Sequence, residues 1–192
     1  MRRVWVCGLL VNSVAAGPCD IYAAGGTPCV AAHSVTRALY GAYDGALYAV
    51  RRASDNATAA IGVLAAGGVA DADAQDAFCG GESCTIAAIF DQSPRGNHLT
   101  VAPARHGYVD LEVNATREPL RLGGRRVYGA FFEQAPLAGA PKEVGMGYRR
   151  DNTSGVATGD EPESMYMVTS GTRFNDACCF DYGNAETHIG DD

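Results

Sequence analysis

Two cysteines stand side by side near the end of the chain, Cys178 and Cys179, within Asn175-Asp-Ala-Cys-Cys-Phe-Asp-Tyr-Gly-Asn-Ala-Glu186. Neighbouring Cα atoms across a trans peptide lie about 3.8 Å apart, closer than the roughly 4.4–6.8 Å usual for a disulfide. A bond between them closes a small ring and twists the peptide inside it. Such strain persists where the surrounding structure enforces it, often at a site. The alternatives are that each cysteine pairs elsewhere or that both stay free. A second group, Asp91, Asn97 and His98, has the residue types of a metal site or a catalytic dyad. More often such residues in a Pro/Gly loop hold it by side-chain to backbone hydrogen bonds, and that is the reading adopted. Asp160, Glu161 and Glu163 read as a solvated acidic turn. No C-x-x-C or H-x-x-x-H accompanies the cysteines, so a zinc site is the weaker rival.

The frame that must position these residues is one domain's worth of chain. It has 192 residues, 47% hydrophobic and 19% charged, with net charge −7. That supports a real core and excludes disorder. An acidic chain without a basic cluster is a poor partner for nucleic acid or an anionic membrane. Arg2 and Arg3, the apolar run Val4–Val11 and the small residues Val14 and Ala16 read as a secretory signal over residues 1–16, cut before Gly17. The apolar run is too short to span a bilayer. Losing Arg2 and Arg3 would take the net charge from −7 to −9. An exported chain keeps disulfides, and the sequons at Asn56, Asn114 and Asn152 suit exposed loops of a secreted glycoprotein. With Cys7 removed, the spacing favours local pairs, Cys19 with Cys29 and Cys79 with Cys84. The adjacent Cys178–Cys179 pair is then left over.

The elements between these points are short. Ser34–Ala42 reads as a helical turn capped by Ser34. Ala46–Arg52 reads as a strand with Leu47 and Ala49 alternating against Tyr48 and Val50, and Ala60–Leu64 as a second strand. Asp71–Phe78 is a short helix or a loop. Thr85–Phe90, a continuous apolar run, reads as a strand buried on both faces. Leu120–Leu122, Gly123-Gly124 and Arg125–Phe132 spell a hairpin. Glu133–Gly147 reads as a Pro/Gly loop, and Met165–Thr169 as another strand. Short strands with turns between them indicate an all-β sandwich.

In this order the pieces resemble the N-terminal half of the catalytic domain in glycoside hydrolase family 54, the fungal-type α-L-arabinofuranosidase B family. The resemblance rests on Gly17-Pro-Cys-Asp-Ile-Tyr22, Thr27-Pro-Cys-Val-Ala-Ala-His33, Thr36-Arg-Ala-Leu-Tyr40, Ala66-Gly-Gly-Val-Ala70, Asp91-Gln-Ser93, Gly96-Asn-His-Leu-Thr100, Ala157-Thr-Gly-Asp160 and Cys178-Cys-Phe-Asp-Tyr-Gly-Asn-Ala-Glu-Thr187. Leu99–Arg149 is less family-like and Arg-rich. The resemblance implies a jelly-roll-like, concanavalin-like β-sandwich, incomplete within residues 17–192. It implies the disulfides Cys19–Cys29, Cys79–Cys84 and a vicinal Cys178–Cys179. The last would form part of the wall against which a terminal arabinofuranose sits: a rigid, polarizable, non-ionising surface that loses little ordering entropy on binding.

Retaining glycosidases use two carboxyl groups about 5–5.5 Å apart, one nucleophile and one acid/base. The resemblance implies a Glu nucleophile and an Asp acid/base in motifs downstream of Thr187, so neither role falls on a residue of this chain. Asp181 and Glu186 lie near the sugar-wall motif, but the family does not use them so. The expected activity is retaining release of terminal α-L-arabinofuranosyl residues from arabinan or arabinoxylan of plant cell walls, without cofactor or metal. Residues 1–192 themselves are expected to be a truncated, inactive product whose partner is arabinose-containing polysaccharide. The other readings are a secreted carbohydrate-binding module and a vestigial disulfide-stapled glycoprotein.

Overall fold

The computed structural model describes residues 15–104, 109–133, 144–172 and 182–184. In chain order the elements are α1 (Pro18–Ala24), β1 (Ala46–Arg52), β2 (Thr58–Gly62), α2 (Ala72–Cys79), β3 (Cys84–Ile89), β4 (Leu99–Val101), β5 (Val109–Asp110), β6 (Glu118–Leu122), β7 (Arg125–Gly129), β8 (Val144–Gly145) and β9 (Tyr148–Arg149). The fold class is all-β, of the β-sandwich kind. A five-stranded antiparallel sheet runs β2-β1-β3-β4-β9. β6 and β7 form a separate hairpin, and β5 pairs with β8 in parallel.

The hairpin follows from its turn. Gly123 and Gly124 both have positive φ, 57° and 77°, the backbone a two-residue reversal needs to match the twist of its strands. Its Val127 is fully buried and joins Leu47, Val50, Ile61, Ile86 and Val113 in one core cluster. Helix α2 touches β1, β2 and β7, bracing the hairpin against the sheet. Asp71 starts α2 by accepting the Ala74 amide at 2.9 Å, and Gly80 ends it in the left-handed region at φ 61°. The Cys79–Cys84 disulfide then ties the end of α2 to the start of β3.

Beyond the short reach of β4, the free edge of β3 is extended by residues 113–115. Ile86 N–H donates to the Val113 carbonyl and Ala115 N–H to the Cys84 carbonyl, both at 2.9 Å. Inside, the Tyr48 hydroxyl donates to Gln75 Oε1 at 2.6 Å, and Gln75 Nε2 donates to the Ala115 carbonyl at 2.8 Å. The polar side chain thus links β1, α2 and this edge.

Several sequence expectations need correction. Residues 18–24 form a helix that composition hid: Pro18 suits a first helical position, and Asp20 accepts the Gly17 amide at 2.7 Å. Ser34–Ala42 is not helical but a run of bends and bridges, in which Ser34 Oγ accepts from the Thr36 and Arg37 amides. Strand β1 does not alternate cleanly, because irregularities against β2 and β3 leave Leu47 and Tyr48 both buried. β3 is fully buried only at Cys84, Ile86 and Ile89; its other face carries Thr85 opposite Arg51 and is partly open. Met165–Thr169 has strand-like residues but no ladder among the described residues, and Val168 is 88% exposed. Propensity does not make a strand where no backbone partner is in register. The signal reading falls on residues of which 1–14 lie outside the described part.

Candidate functional site

Asp91 stands two residues past the end of β3 and is the anchor of the loop that follows. It is 4% exposed. Its Oδ1 accepts the amides of Ala32 and Ser93, both at 2.8 Å. Its Oδ2 accepts the Ser93 hydroxyl at 2.7 Å and the Asn97 amide at 2.9 Å. Four donors converging on one carboxylate compensate for its burial. Asn97 extends the network: its Nδ2 donates to the Val30 and Ser154 carbonyls, and its Oδ1 accepts the Ser154 amide. His98 Nδ1 accepts the Asp91 amide at 2.9 Å. The residues that suggested a dyad therefore hold a loop, as the bonding reading expected. Among the described residues no cluster of His, Cys, Asp or Glu could hold a metal ion.

His33 connects this loop to Tyr182. Its Nε2 lies 2.7 Å from the Asn97 carbonyl, which can only accept, so Nε2 carries the proton. Neutral Nδ1 is then an acceptor, and the Tyr182 hydroxyl donates to it at 3.2 Å. Burial pushes the His33 pKa below its ordinary value, opposed by the Asn97 carbonyl and the Asp91 charge. Burial likewise raises the Tyr182 phenol. Tyr182 follows Cys179 by three positions in the sequence. Spacing gave no signal for this pair, because its members are 149 residues apart.

The Cys19–Cys29 disulfide forms, and its Cys29 borders a shallow cleft of about 350 Å³ with Val30, Tyr40 and Arg95. Tyr22 stacks on Tyr166 with ring centroids 5.8 Å apart, both partly exposed. Cys178, Cys179, Asp181 and Glu186 lie outside the described residues. Glu161 accepts the Thr158 amide and Glu163 accepts from Asn184 Nδ2, so these carboxylates serve the acidic turn and its neighbour.

A largely antiparallel set of sheets braced by one helix, with loops pinned by a buried carboxylate and disulfides, is the frame of a β-sandwich. Residues 18–192 match the family model described as "Alpha-L-arabinofuranosidase B, catalytic". The chain belongs to that family, whose members are α-L-arabinofuranosidases. It is 55% identical to the probable alpha-L-arabinofuranosidase B of Aspergillus fumigatus over 96% of this chain and 36% of the relative. It is 53% identical to alpha-L-arabinofuranosidase B of Aspergillus niger over 97% of this chain and 36% of that protein. The chain thus spans about a third of the length of the curated relatives it matches. A crystal structure of an arabinofuranosidase complexed with arabinofuranosyl-alpha-1,2-xylobiose superposes with a TM-score of 0.68 at 49% identity, covering 76% of this chain and 29% of that one. The family match runs through Leu99–Arg149, the Arg-rich stretch that is less family-like in sequence.

Proposed function

We propose that residues 17–192 build part of the catalytic sandwich of an exported α-L-arabinofuranosidase acting on terminal α-L-arabinofuranosyl groups of arabinan or arabinoxylan. Within that sandwich, Cys178 and Cys179 form a vicinal disulfide that serves as one wall of the sugar subsite. The reading is carried by the family match over residues 18–192, a span that includes both cysteines. Two formed disulfides, Cys19–Cys29 and Cys79–Cys84, support an oxidising compartment. His33, itself held by the Asn97 carbonyl, bonds Tyr182, which follows Cys179 by three positions in the sequence and so supports the reading.

Hydrolysis needs a nucleophile and an acid/base on opposite sides of the scissile bond. Asp91 is held by four donors and serves its loop. In this reading the family's nucleophile and acid/base belong to motifs downstream of Thr187, and residues 1–192 alone are expected not to hydrolyse an arabinofuranoside. The test joins residues 17–192 in frame to the remaining catalytic-domain residues of the Aspergillus niger relative. The chimera should release 4-nitrophenol from 4-nitrophenyl α-L-arabinofuranoside, and residues 1–192 alone should not. Cys178→Ala with Cys179→Ala should raise KM more than it lowers kcat. Hydrolysis by residues 1–192 alone, or a folded but inert chimera, would overturn the reading.

A further inference from the structure

The three N-x-[ST] sequons look alike in sequence but sit in different structural surroundings. Asn56 lies in the reversal between β1 and β2, exposed, with φ 58°. The reversal is held by other groups: Arg52 N–H donates to the Ala57 carbonyl, Asn56 N–H to the Arg52 carbonyl, and Asp55 Oδ1 accepts the Ala57 amide. The side-chain amide of Asn56 has no hydrogen-bond partner among the described residues. Asn152 repeats the pattern, exposed with φ 56°. Its neighbour Asp151 is paired with Arg149, and the Asn152 amide has no partner among the described residues. A left-handed residue at an exposed turn is a place asparagine tolerates well, and at both positions Nδ2 has no partner among the described residues.

Asn114 differs in its backbone setting, its burial and the use of its Oδ1. It stands in the segment that extends the edge of β3, bridged to Thr85. It is half-buried, and its neighbours Val113 and Ala115 are both 0% exposed. Its own Oδ1 accepts the Thr116 amide at 2.9 Å and the Thr116 hydroxyl at 3.2 Å. The amide plane is therefore fixed in a half-buried setting between two fully buried residues, where a sugar on Nδ2 has less open space than at the exposed Asn56 or Asn152. Ala115 is also committed, through its carbonyl, to the buried Gln75 side chain.

We propose that Asn56 and Asn152, and not Asn114, carry N-linked oligosaccharide on the folded protein. The inference rests on the export reading above. The donor is a lipid diphosphate-linked, N-acetylglucosamine-based oligosaccharide. The Asn Nδ2–C1 bond forms as the C1–O bond to the diphosphate breaks; the diphosphate leaves with the electron pair, and the amide gives up one proton. Attachment precedes folding, so all three sequons are open to the transferase. A glycan on Asn114 then opposes closure of the 113–115 edge, and such chains do not enter the folded pool.

The experiment expresses the full chain, with its own residues 1–16, in a fungal host. The protease-resistant folded fraction is taken from medium and cells together. Enzymatic deglycosylation in heavy-oxygen water marks each occupied asparagine as labelled aspartate, read by peptide mass spectrometry. Label at Asn56 and Asn152 with none at Asn114 is the expected result. Asn56→Gln and Asn152→Gln should each remove one glycan's mass, while Asn114→Gln removes none. Label at Asn114 in the folded fraction, or its absence from Asn56 or Asn152 in an exported chain, overturns the proposal and leaves the export reading standing. A chain found only in the cytosol without any glycan overturns both.

Discussion

Asp91 Oδ2 accepts the Asn97 amide at 2.9 Å, a bond that closes the loop after β3 on a carboxylate already holding Ala32 and Ser93. Asparagine at this position keeps one acceptor oxygen and turns an NH2 group toward donors that then lack a partner. Asp91→Asn is expected to cost about 2–4 kcal/mol, the range for orphaning buried donors. Urea unfolding of the folded chain checks it.

Gln75 is fully buried and bonded at both ends, to Tyr48 and to the Ala115 carbonyl. Gln75→Leu strands a buried hydroxyl and a carbonyl together, at a cost of about 2–4 kcal/mol, whereas Tyr48→Phe costs about 1 kcal/mol. The double variant should be less destabilised than the sum of the two, because no hydroxyl is left orphaned. Strict additivity in the unfolding free energies would mean that the pair is not coupled.

His33 gives a dependence on pH with a definite sign. Burial holds its folded pKa below the ordinary value of 6.5; Asp91 and the Asn97 carbonyl act against this and His98 with it. Between the folded value and 6.5 the unfolded chain binds more protons than the folded one. The contribution is therefore fully present above pH 6.5 and declines as the pH falls below it. His33→Gln should flatten this part of the difference in Tm between pH 7.5 and pH 5.5, two values chosen to span roughly one pH unit either side of the reference. An identical slope in wild type and variant would count against the assignment.

Two glycines should respond differently to the same change. Gly67 has φ +70°, and a Cβ there would sit 2.3 Å from the Gly41 carbonyl oxygen. Gly80 has φ +61° with nothing within 4 Å. Gly80→Ala carries only the left-handed backbone penalty of about 1–2 kcal/mol, while Gly67→Ala adds a steric term and reaches about 3–4 kcal/mol. Thermal unfolding of both variants measures the gap.

What the sequence made legible was local. The span of β1, the Gly123-Gly124 hairpin and the two short-range disulfides depend on residues close along the chain, where type and spacing carry the signal. The loop-holding role of Asp91 could also be read, because Asp, Ser, Asn and Pro in a turn bond to nearby backbone. Its bond to Ala32, 59 residues away, could not. Neither could the His33–Tyr182 link or the partnership of Gln75 with Ala115, which exist only once distant segments meet. The strand reading of Met165–Thr169 failed for the complementary reason: strand-prone residues say what a segment can do, and a ladder partner decides what it does.

The irregular pairing of β1 has a consequence outside the folded state. Ala46-Leu-Tyr-Ala-Val50 is an uncharged, proline-free apolar run, the kind of segment that stacks into cross-β fibrils when identical copies align flat and in register. In the fold its register shifts between Ala46 and Tyr48 on one side and between Ala49 and Val50 on the other. Bulges bend and twist a strand, so the geometry that places Leu47 and Tyr48 side by side in the core is one a flat fibril layer cannot copy. Arg51 and Arg52 follow at once, and stacked copies would bring their like charges together. The strand that organises the sheet is thus guarded against pairing with itself.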